Sequence, residues 1–212
     1  MDRFLIRGGR TLGGDVKVGG AKNAALPMLA AAIMVPGKVR FENLPHLNDV
    51  TTMLQLLGRM GVEVLLDETG SVELDASPLN SVIAPYDLVR TMRASIVVLG
   101  PLLARAHEAE VSLPGGCAIG ARPVNLHVKA LERLGVEFEV TDGYIKGRAP
   151  GGLIGGKVLF EKITVTGTEN VLMAAVLAKG ESIIENAARE PEVTNLADCL
   201  VALGAKIDGI GT

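Results

Sequence analysis

The chain has 212 residues and a formal net charge of −3 at pH 7; 48% of its residues are hydrophobic and 3% are aromatic. The hydrophobic fraction is typical of a folded globular protein and excludes a disordered one. The small negative charge argues against nucleic-acid and membrane-surface binding, because both depend on clustered positive charge. The cysteines and histidines have no metal-binding spacing, so we expect a reduced, cytoplasmic protein without metal or other cofactor.

Residues 1–20 precede a repeated pattern. Strands are predicted at Arg3–Arg7 and Asp15–Val18, joined by a glycine-rich turn. We expect these strands to belong with a C-terminal domain that is missing from this chain. Residues 21–212 are then expected to form a single N-terminal domain.

The pattern Leu-x-x-(Leu or Met)-Gly, in which x is any residue, recurs at 57–61, 131–135 and 200–204. Its glycines, Gly61, Gly135 and Gly204, are about 70 residues apart, and such a period marks a repeated supersecondary unit. The predicted repeats are about 21–78, 86–150 and 162–212. We expect the last repeat to be truncated, because a strand beginning near Lys206 has no hairpin partner.

Each repeat is predicted to begin with a helix that is apolar nearly all round and must therefore be buried. These helices are Lys22–Val35, Thr91–Ala104 and Glu169–Lys179. The most apolar stretch, 24–36, is too short to span a membrane. A short strand is predicted after each helix, at Lys38–Glu42, Glu110–Leu113 and Ser182–Glu185.

An amphipathic helix is predicted next in every repeat, because Leu and Met recur at three- and four-residue steps. The predicted ranges are Val50–Met60, Leu126–Leu134 and Val193–Leu203. A hairpin closes the first two repeats, Val62–Asp67 with Ser71–Asp75 and Val136–Thr141 with Tyr144–Arg148. The expected fold class is α/β, a pseudo-threefold repeat of helix–strand–helix–hairpin units with buried central helices and outer sheets.

The glycine-rich loop Pro114–Pro123 is the first candidate for chemistry. Pro123 suits the first turn of the following helix, so Arg122 would lie beside the positive end of that helix and help to hold an anion. The same surroundings lower the pKa of a thiol and would make Cys117 reactive. A small buried cysteine on a structural turn is the alternative interpretation.

Polar residues also stand at the start of each predicted buried helix. Lys22 and Asn23 follow two glycines, and Lys22 either meets an anion or extends to solvent. Arg93 and Lys162 occupy the corresponding places in the second and third repeats. If the helices are parallel, these three cations converge with that of Arg122 on one anion-attracting surface.

Four motifs resemble the UDP-N-acetylglucosamine 1-carboxyvinyltransferase family of enolpyruvyl transferases, and they lie at 20–27, 91–95, 114–124 and 184–192. The resemblance extends over the whole chain and corresponds to the N-terminal half of such an enzyme. It implies an inside-out α/β barrel. It also implies transfer of the enolpyruvyl group from phosphoenolpyruvate to the 3-hydroxyl of UDP-N-acetylglucosamine, with release of phosphate, in the first committed step of peptidoglycan synthesis.

The resemblance also implies roles for individual residues. Cys117 would be the general acid and could carry a covalent substrate adduct, and fosfomycin-type epoxides would alkylate it. Lys22 and Arg122 would share in catalysis; Lys22 and Asn23 would bind phosphoenolpyruvate, with Arg122 near the phosphate. The residues expected to contact the nucleotide sugar are Arg93, Arg122, Pro123, Val124, Asn125, Leu126, Lys162, Ile163, Thr164 and Val165. Asn125 departs from the family, in which many members have Asp.

Three other functions stay open. The first is a binding or regulatory domain without turnover: in the resembled family the active site forms between two domains, so the chain alone is expected to be inactive and to keep only weak affinity for the nucleotide sugar. The enolpyruvyl transferase that acts on shikimate 3-phosphate shares the architecture, although it does not use the Cys117 loop. A thiol-based redox protein is the third possibility, but no resolving cysteine lies near Cys117.

Overall fold

The computed structural model describes residues 3–68, 70–113 and 124–212, with Arg93 described by its backbone alone. Residues 3–20 form no helix or strand, so the strands predicted at Arg3–Arg7 and Asp15–Val18 are not formed. Their apolar side chains are exposed, and that of Phe4 is 97% exposed. An extended segment without a neighbouring strand has no ladder of hydrogen bonds to hold it, which accounts for the difference.

The first repeat contains two helices and a three-stranded antiparallel sheet. Its elements are α1 (Lys22–Ala31), continued by a 3₁₀ turn at Ala32–Met34, β1 (Lys38–Phe41), α2 (Asn48–Arg59), β2 (Glu63–Leu66) and β3 (Val72–Asp75). The strand order is β1-β3-β2. The predicted helices and hairpin are confirmed here, because β2 and β3 pair with Leu66 opposite Val72.

The second repeat contains a four-stranded sheet in the order β4-β5-β7-β6. Its elements are β4 (Ile83–Ala84), α3 (Tyr86–Val89), a 3₁₀ helix (Arg93–Val98), α4 (Leu99–Ala106), β5 (Glu108–Ser112), α5 (Val124–Glu132), β6 (Glu137–Thr141) and β7 (Tyr144–Arg148). The hairpin β6–β7 was predicted. The parallel pairing of β4 with β5 was not, since it joins segments far apart in the chain.

The third predicted repeat, together with the residues just before it, contains a two-stranded parallel sheet. Its elements are β8 (Lys157–Leu159), α6 (Val165–Ala175), β9 (Ile183–Glu185) and α7 (Pro191–Ala202). Helix α6 begins four residues before the predicted start at Glu169, because the Thr164 hydroxyl caps it by accepting a hydrogen bond from the N–H of Gly167 (3.2 Å). The strand predicted from Lys206 is not formed, since no described strand lies beside it.

The three repeat glycines confirm that the units share one local geometry. Gly61, Gly135 and Gly204 all have left-handed backbone angles, with φ of +94°, +88° and +105°. In each copy the next residue donates its N–H to a leucine carbonyl five positions back, as in Val62 to Leu57 (3.0 Å). This is the Schellman ending of a helix, which favours glycine at the left-handed position because glycine has no side chain to strain there.

The core is formed by the central helices, by which we mean Lys22–Met34, Arg93–Ala106 and Val165–Ala175. Their large side chains are fully buried, among them Leu29, Ile33, Leu102 and Leu103. The sheets and the amphipathic helices α2, α5 and α7 pack outside them. The predicted α/β class with buried helices and outer sheets is therefore confirmed. Within the described ranges, every helix is too short or too polar to cross a lipid bilayer.

Candidate functional site

The first turn of α1 lines a pocket of about 580 Å³. Lys22 and Asn23 form one wall, and Glu192, Asn195 and Asp198 of α7 lie opposite. The residue before α1 is an alanine, which has no side-chain oxygen to accept hydrogen bonds from the first-turn N–H groups. The pocket therefore has an ammonium group and a helix amino end on one side, a combination suited to an anionic ligand.

The ammonium of Lys22 forms an ion pair with the carboxylate of Asp49, at the start of α2. The Nζ–Oδ2 distance is 2.8 Å, and the two side chains are 43% and 33% exposed. An ion pair this exposed contributes little to stability, about 1 kcal/mol or less. Lys22 is thus neither buried without a partner nor free in solvent, and an incoming anion could take the place of Asp49 at small cost.

The charges that line the pocket are mixed. Against the cation of Lys22 stand the carboxylates of Glu192 and Asp198. The uniformly cationic surface predicted from the sequence also requires the side chains of Arg93 and Arg122, which lie outside the described part of the structure. The convergence of these cations on one surface therefore stays a prediction.

Two of the predicted nucleotide-sugar segments lie beside each other. Val124, Asn125 and Leu126 form the first turn of α5, and 162–165 lead into α6. Helices α5 and α6 pack together, and an ion pair between Lys129 and Glu161 (3.4 Å) links α5 to the segment that leads into α6. Asn125 and Lys162 are exposed, whereas Val124, Leu126, Thr164 and Val165 are half-buried. The fold thus brings together residues about 40 positions apart in the sequence.

A buried histidine joins the same two helices. His127 follows Leu126 on α5, is 5% exposed, and lies 3.3 Å through Nε2 from the hydroxyl of Thr166. Its Nδ1 is 3.0 Å from the amide nitrogen of Asn170. Burial lowers the pKa of His127 to about 4, so the ring is neutral at physiological pH.

Helix α6 carries a buried carboxyl group. Glu169 is 2% exposed, and burial raises its pKa to about 8, with a further contribution from repulsion by Glu192 and Glu190. The neighbouring Thr168 hydroxyl accepts a hydrogen bond from the N–H of Ala188 (3.0 Å), which ties the segment leading into α7 to α6. A carboxyl group that is protonated near neutral pH therefore lies within electrostatic range of the pocket residue Glu192.

Several predicted site residues cannot be placed. Cys117, Arg122 and Pro123 lie outside the described residues, and only the backbone of Arg93 is described, at the start of its 3₁₀ helix. Their assigned roles stay predictions. Cys199, by contrast, is half-buried in α7, where burial raises the pKa of its thiol and so lowers its reactivity.

Sequence reasoning assigns no role to Asp49, His127, Glu169 or Asn170, although Glu169 and Asn170 belong to the polar residues predicted at the start of the third buried helix. For Glu169 and Asn170 a signal existed, because both are polar residues within a helix predicted to be buried. His127 and Asp49 gave none, since both lie on amphipathic helices, where a polar residue is ordinarily solvated. Among the described residues, His, Cys, Asp and Glu form no cluster of three or more that could hold a metal ion.

Comparison with known proteins places this geometry in context. The family model of EPSP synthase (3-phosphoshikimate 1-carboxyvinyltransferase) matches residues 6–212. The enolpyruvyl transferase NikO from Streptomyces tendae is similar with a TM-score of 0.81 and 23% identity, over 95% of this chain and 47% of that protein. Two structures of EPSP synthase from Acinetobacter baumannii have TM-scores of 0.70 and 0.69 at 19% identity, over 93% of this chain.

These structural likenesses concern the fold, because identities of 19–23% do not carry an activity from one protein to another. The chain spans about half the length of the solved proteins that it matches, with 47%, 45% and 46% of them covered.

Proposed function

This chain belongs to the EPSP synthase family of enolpyruvyl transferases, and we propose that it forms the N-terminal part of a UDP-N-acetylglucosamine 1-carboxyvinyltransferase. Such an enzyme moves the enolpyruvyl group of phosphoenolpyruvate to the 3-hydroxyl of UDP-N-acetylglucosamine and releases phosphate, in the cytoplasmic committing step of peptidoglycan synthesis. The observation that carries the proposal is the loop Pro114–Pro123, with its single cysteine between glycines, on a chain of this family.

Phosphoenolpyruvate binds, in this proposal, at the amino end of α1. The pocket there offers the ammonium of Lys22, the amide of Asn23 and uncapped first-turn N–H groups. A trianionic substrate gains from all three, since charge-assisted hydrogen bonds are about twice as strong as neutral ones. Binding exchanges the Lys22–Asp49 ion pair for one with the substrate, and Arg122 completes the clamp on the phosphate.

The transfer itself needs a proton at the methylene carbon of phosphoenolpyruvate. The Cys117 thiol donates it, and the carbon that bears the phosphate becomes electrophilic. The sugar 3-hydroxyl attacks that carbon and loses its proton. Loss of a proton from the methyl group and departure of phosphate then restore the carbon–carbon double bond and leave the enol ether of the sugar as product. The nucleotide sugar is held by Arg93, by 122–126 and by 162–165.

A second candidate is transfer of the enolpyruvyl group to shikimate 3-phosphate. The family match favours it, because the matching family is described as 3-phosphoshikimate 1-carboxyvinyltransferase. That reaction does not use a reactive cysteine loop, so Cys117 would then be dispensable. Phosphate release with each acceptor, measured on the same preparation, separates the two candidates.

Fosfomycin labelling tests the proposal. Intact-mass spectrometry is performed on this chain and on the chain extended to the stop codon of its gene, with and without UDP-N-acetylglucosamine. We expect one adduct on the extended form, located at Cys117 and promoted by the nucleotide sugar. Absence of label on both forms, while general thiol reagents still modify Cys117, would overturn the assignment.

The matched controls are two cysteine variants. Cys117→Asp is expected to take no fosfomycin, because a carboxylate does not open the epoxide under these conditions. Cys199→Ser is expected to label like the unsubstituted chain, since Cys199 is a half-buried residue of α7. An adduct on Cys117→Asp would contradict the proposed site. Replacement of Cys117 by Ala should lower kcat at least about 100-fold, the usual contribution of a general acid.

A further inference from the structure

The side-chain amide of Asn170 can adopt only one of its two flipped orientations in the core of the protein. It is fully buried, and its Oδ1 accepts a hydrogen bond from the backbone N–H of Gly100 at 2.6 Å. Its Nδ2 therefore points the other way, where it donates to the carbonyl of Ile96 at 3.0 Å and lies 3.0 Å from Nδ1 of His127. Since a backbone N–H can only donate and a carbonyl can only accept, the two ends of the amide cannot be exchanged.

The orientation of Asn170 determines the tautomer of His127. Because the Asn170 amide nitrogen donates, Nδ1 of the ring must accept and carries no hydrogen. In the neutral ring the hydrogen is then on Nε2, which donates to the Thr166 hydroxyl at 3.3 Å. The third central helix thus holds the imidazole through Asn170 and Thr166 and directs its only N–H at one oxygen, while the second central helix fixes the orientation of Asn170.

The hydrogen bond from His127 to Thr166 joins two residues that directly follow the two segments assigned above to the nucleotide sugar. His127 comes after Val124–Leu126, and Thr166 comes after 162–165. We propose that His127, oriented by Asn170, is a positioning residue that fixes the spacing between these segments and thereby the affinity for the nucleotide sugar. This inference rests on the proposed function, since it names a determinant of the same site.

The surroundings of His127 fit a positioning role better than direct contact between its ring and the substrate. The ring is 5% exposed, and both of its nitrogens are already used within the protein. Thr166 is half-buried, and its hydroxyl hydrogen stays available after it accepts from His127. A misplacement of about 1 Å between binding segments can cost two orders of magnitude, so a fixed spacing has functional value.

The test compares steady-state kinetics of three variants with the unsubstituted protein, using the chain extended to its stop codon. His127→Leu removes both hydrogen bonds of the ring, and Thr166→Val removes only the acceptor while it keeps the shape of the side chain. His107→Asn is the matched control. His107 is an exposed histidine that directly follows α4, and Asn tolerates its left-handed φ of 59°. Thermal unfolding is recorded for each.

We expect the KM for UDP-N-acetylglucosamine to rise about tenfold in His127→Leu and in Thr166→Val, the usual effect of one lost buried hydrogen bond. The KM for phosphoenolpyruvate should change less than about twofold, and the double variant should lose no more than His127→Leu alone, because both changes break the same contact. His107→Asn should match the unsubstituted protein in both constants. A purely structural role would lower the melting temperature without raising the KM for UDP-N-acetylglucosamine more than the KM for phosphoenolpyruvate.

Two outcomes overturn the inference. If the unsubstituted protein uses UDP-N-acetylglucosamine and folded Thr166→Val has an unchanged KM for it, His127 positions nothing, although the proposed function stands. If the unsubstituted protein does not use UDP-N-acetylglucosamine at all, the proposed function is wrong, and so is the inference that rests on it. Should His127→Leu fail to fold, Thr166→Val decides alone. Nitrogen NMR of the imidazole adds an independent check, since hydrogen on Nδ1 would contradict the assigned tautomer.

Discussion

Glu169 is expected to reduce the stability of this fold at neutral pH, and the variant Glu169→Gln tests that expectation. The carboxyl group of Glu169 is 2% exposed. Its pKa is raised from 4.5 to about 8 by burial, and secondarily by Glu192 and Glu190. At pH 7 the folded chain therefore holds this group protonated, whereas the unfolded chain holds it ionised.

The sign of the effect follows from the protons that each state binds. Between about pH 4.5 and 8 the native chain carries one proton more than the unfolded chain on Glu169, so the free energy of unfolding falls as pH rises. The slope is about 1.4 kcal/mol per pH unit. The accumulated loss is absent below pH 4.5, reaches about 4 kcal/mol near pH 7.5, and levels off above pH 8.

His127 has the opposite effect over part of this range. Its pKa is lowered from 6.5 to about 4, so the unfolded chain binds the extra proton between those values and stability rises with pH there. The contributions of the two groups nearly cancel between pH 4.5 and 6.5. Stability of the unsubstituted chain should therefore be nearly flat to pH 6.5 and decline from there to pH 8.

Urea unfolding at pH 5, 6, 7 and 8 measures these contributions. Glu169→Gln has no titrating group at that position, so its free energy of unfolding should rise to pH 6.5 and then stay level. The difference in free energy of unfolding between Glu169→Gln and the unsubstituted chain should therefore grow steadily with pH. Glu161→Gln is the control, because the Glu161 side chain is 73% exposed and its ion pair contributes little. Parallel curves for Glu169→Gln and the unsubstituted chain would refute the reasoning.

Further predictions concern packing and buried polar atoms, each measured by urea unfolding. Gly100→Ala should cost about 1–3 kcal/mol or more, because its Cβ would come within 2.3 Å of the backbone oxygen of Asn170. Gly58→Ala, in an exposed and unobstructed place on α2, should instead add about 0.5–1 kcal/mol; equal effects would contradict the packing. Arg105→Ala should cost about 1–3 kcal/mol, since it deprives two carbonyls at the end of the first central helix of a donor, and a neutral result would show that water replaces it. Ser182→Ala should be neutral or stabilising, because the Ser182 hydroxyl is buried without a hydrogen-bond partner among the described residues, and a clear loss of stability would reveal a missed partner.

The elements of the fold were largely predictable because their signals are local. Apolar residues all round marked the central helices, and three- and four-residue steps marked α2, α5 and α7. The repeat glycines Gly61, Gly135 and Gly204 marked the helix ends, because a left-handed residue is needed there. Errors arose where pairing is not local. The parallel strands β4 and β8 are short, and their own sequences do not indicate that they pair with β5 and β9.

For the candidate site, the sequence by itself determined the identity of the residues that could bind anions, through Lys22, Asn23 and the motif around Cys117. Its contiguous motifs also sufficed to predict an enolpyruvyl transferase, whereas the UDP-N-acetylglucosamine specificity stays a prediction. Only the tertiary structure decided that Lys22 pairs with Asp49, and that Asn170 orients His127 toward Thr166. These contacts join residues 27 to 43 positions apart, and the direction of a hydrogen bond depends on which donors and acceptors the packing of helices brings within about 3 Å.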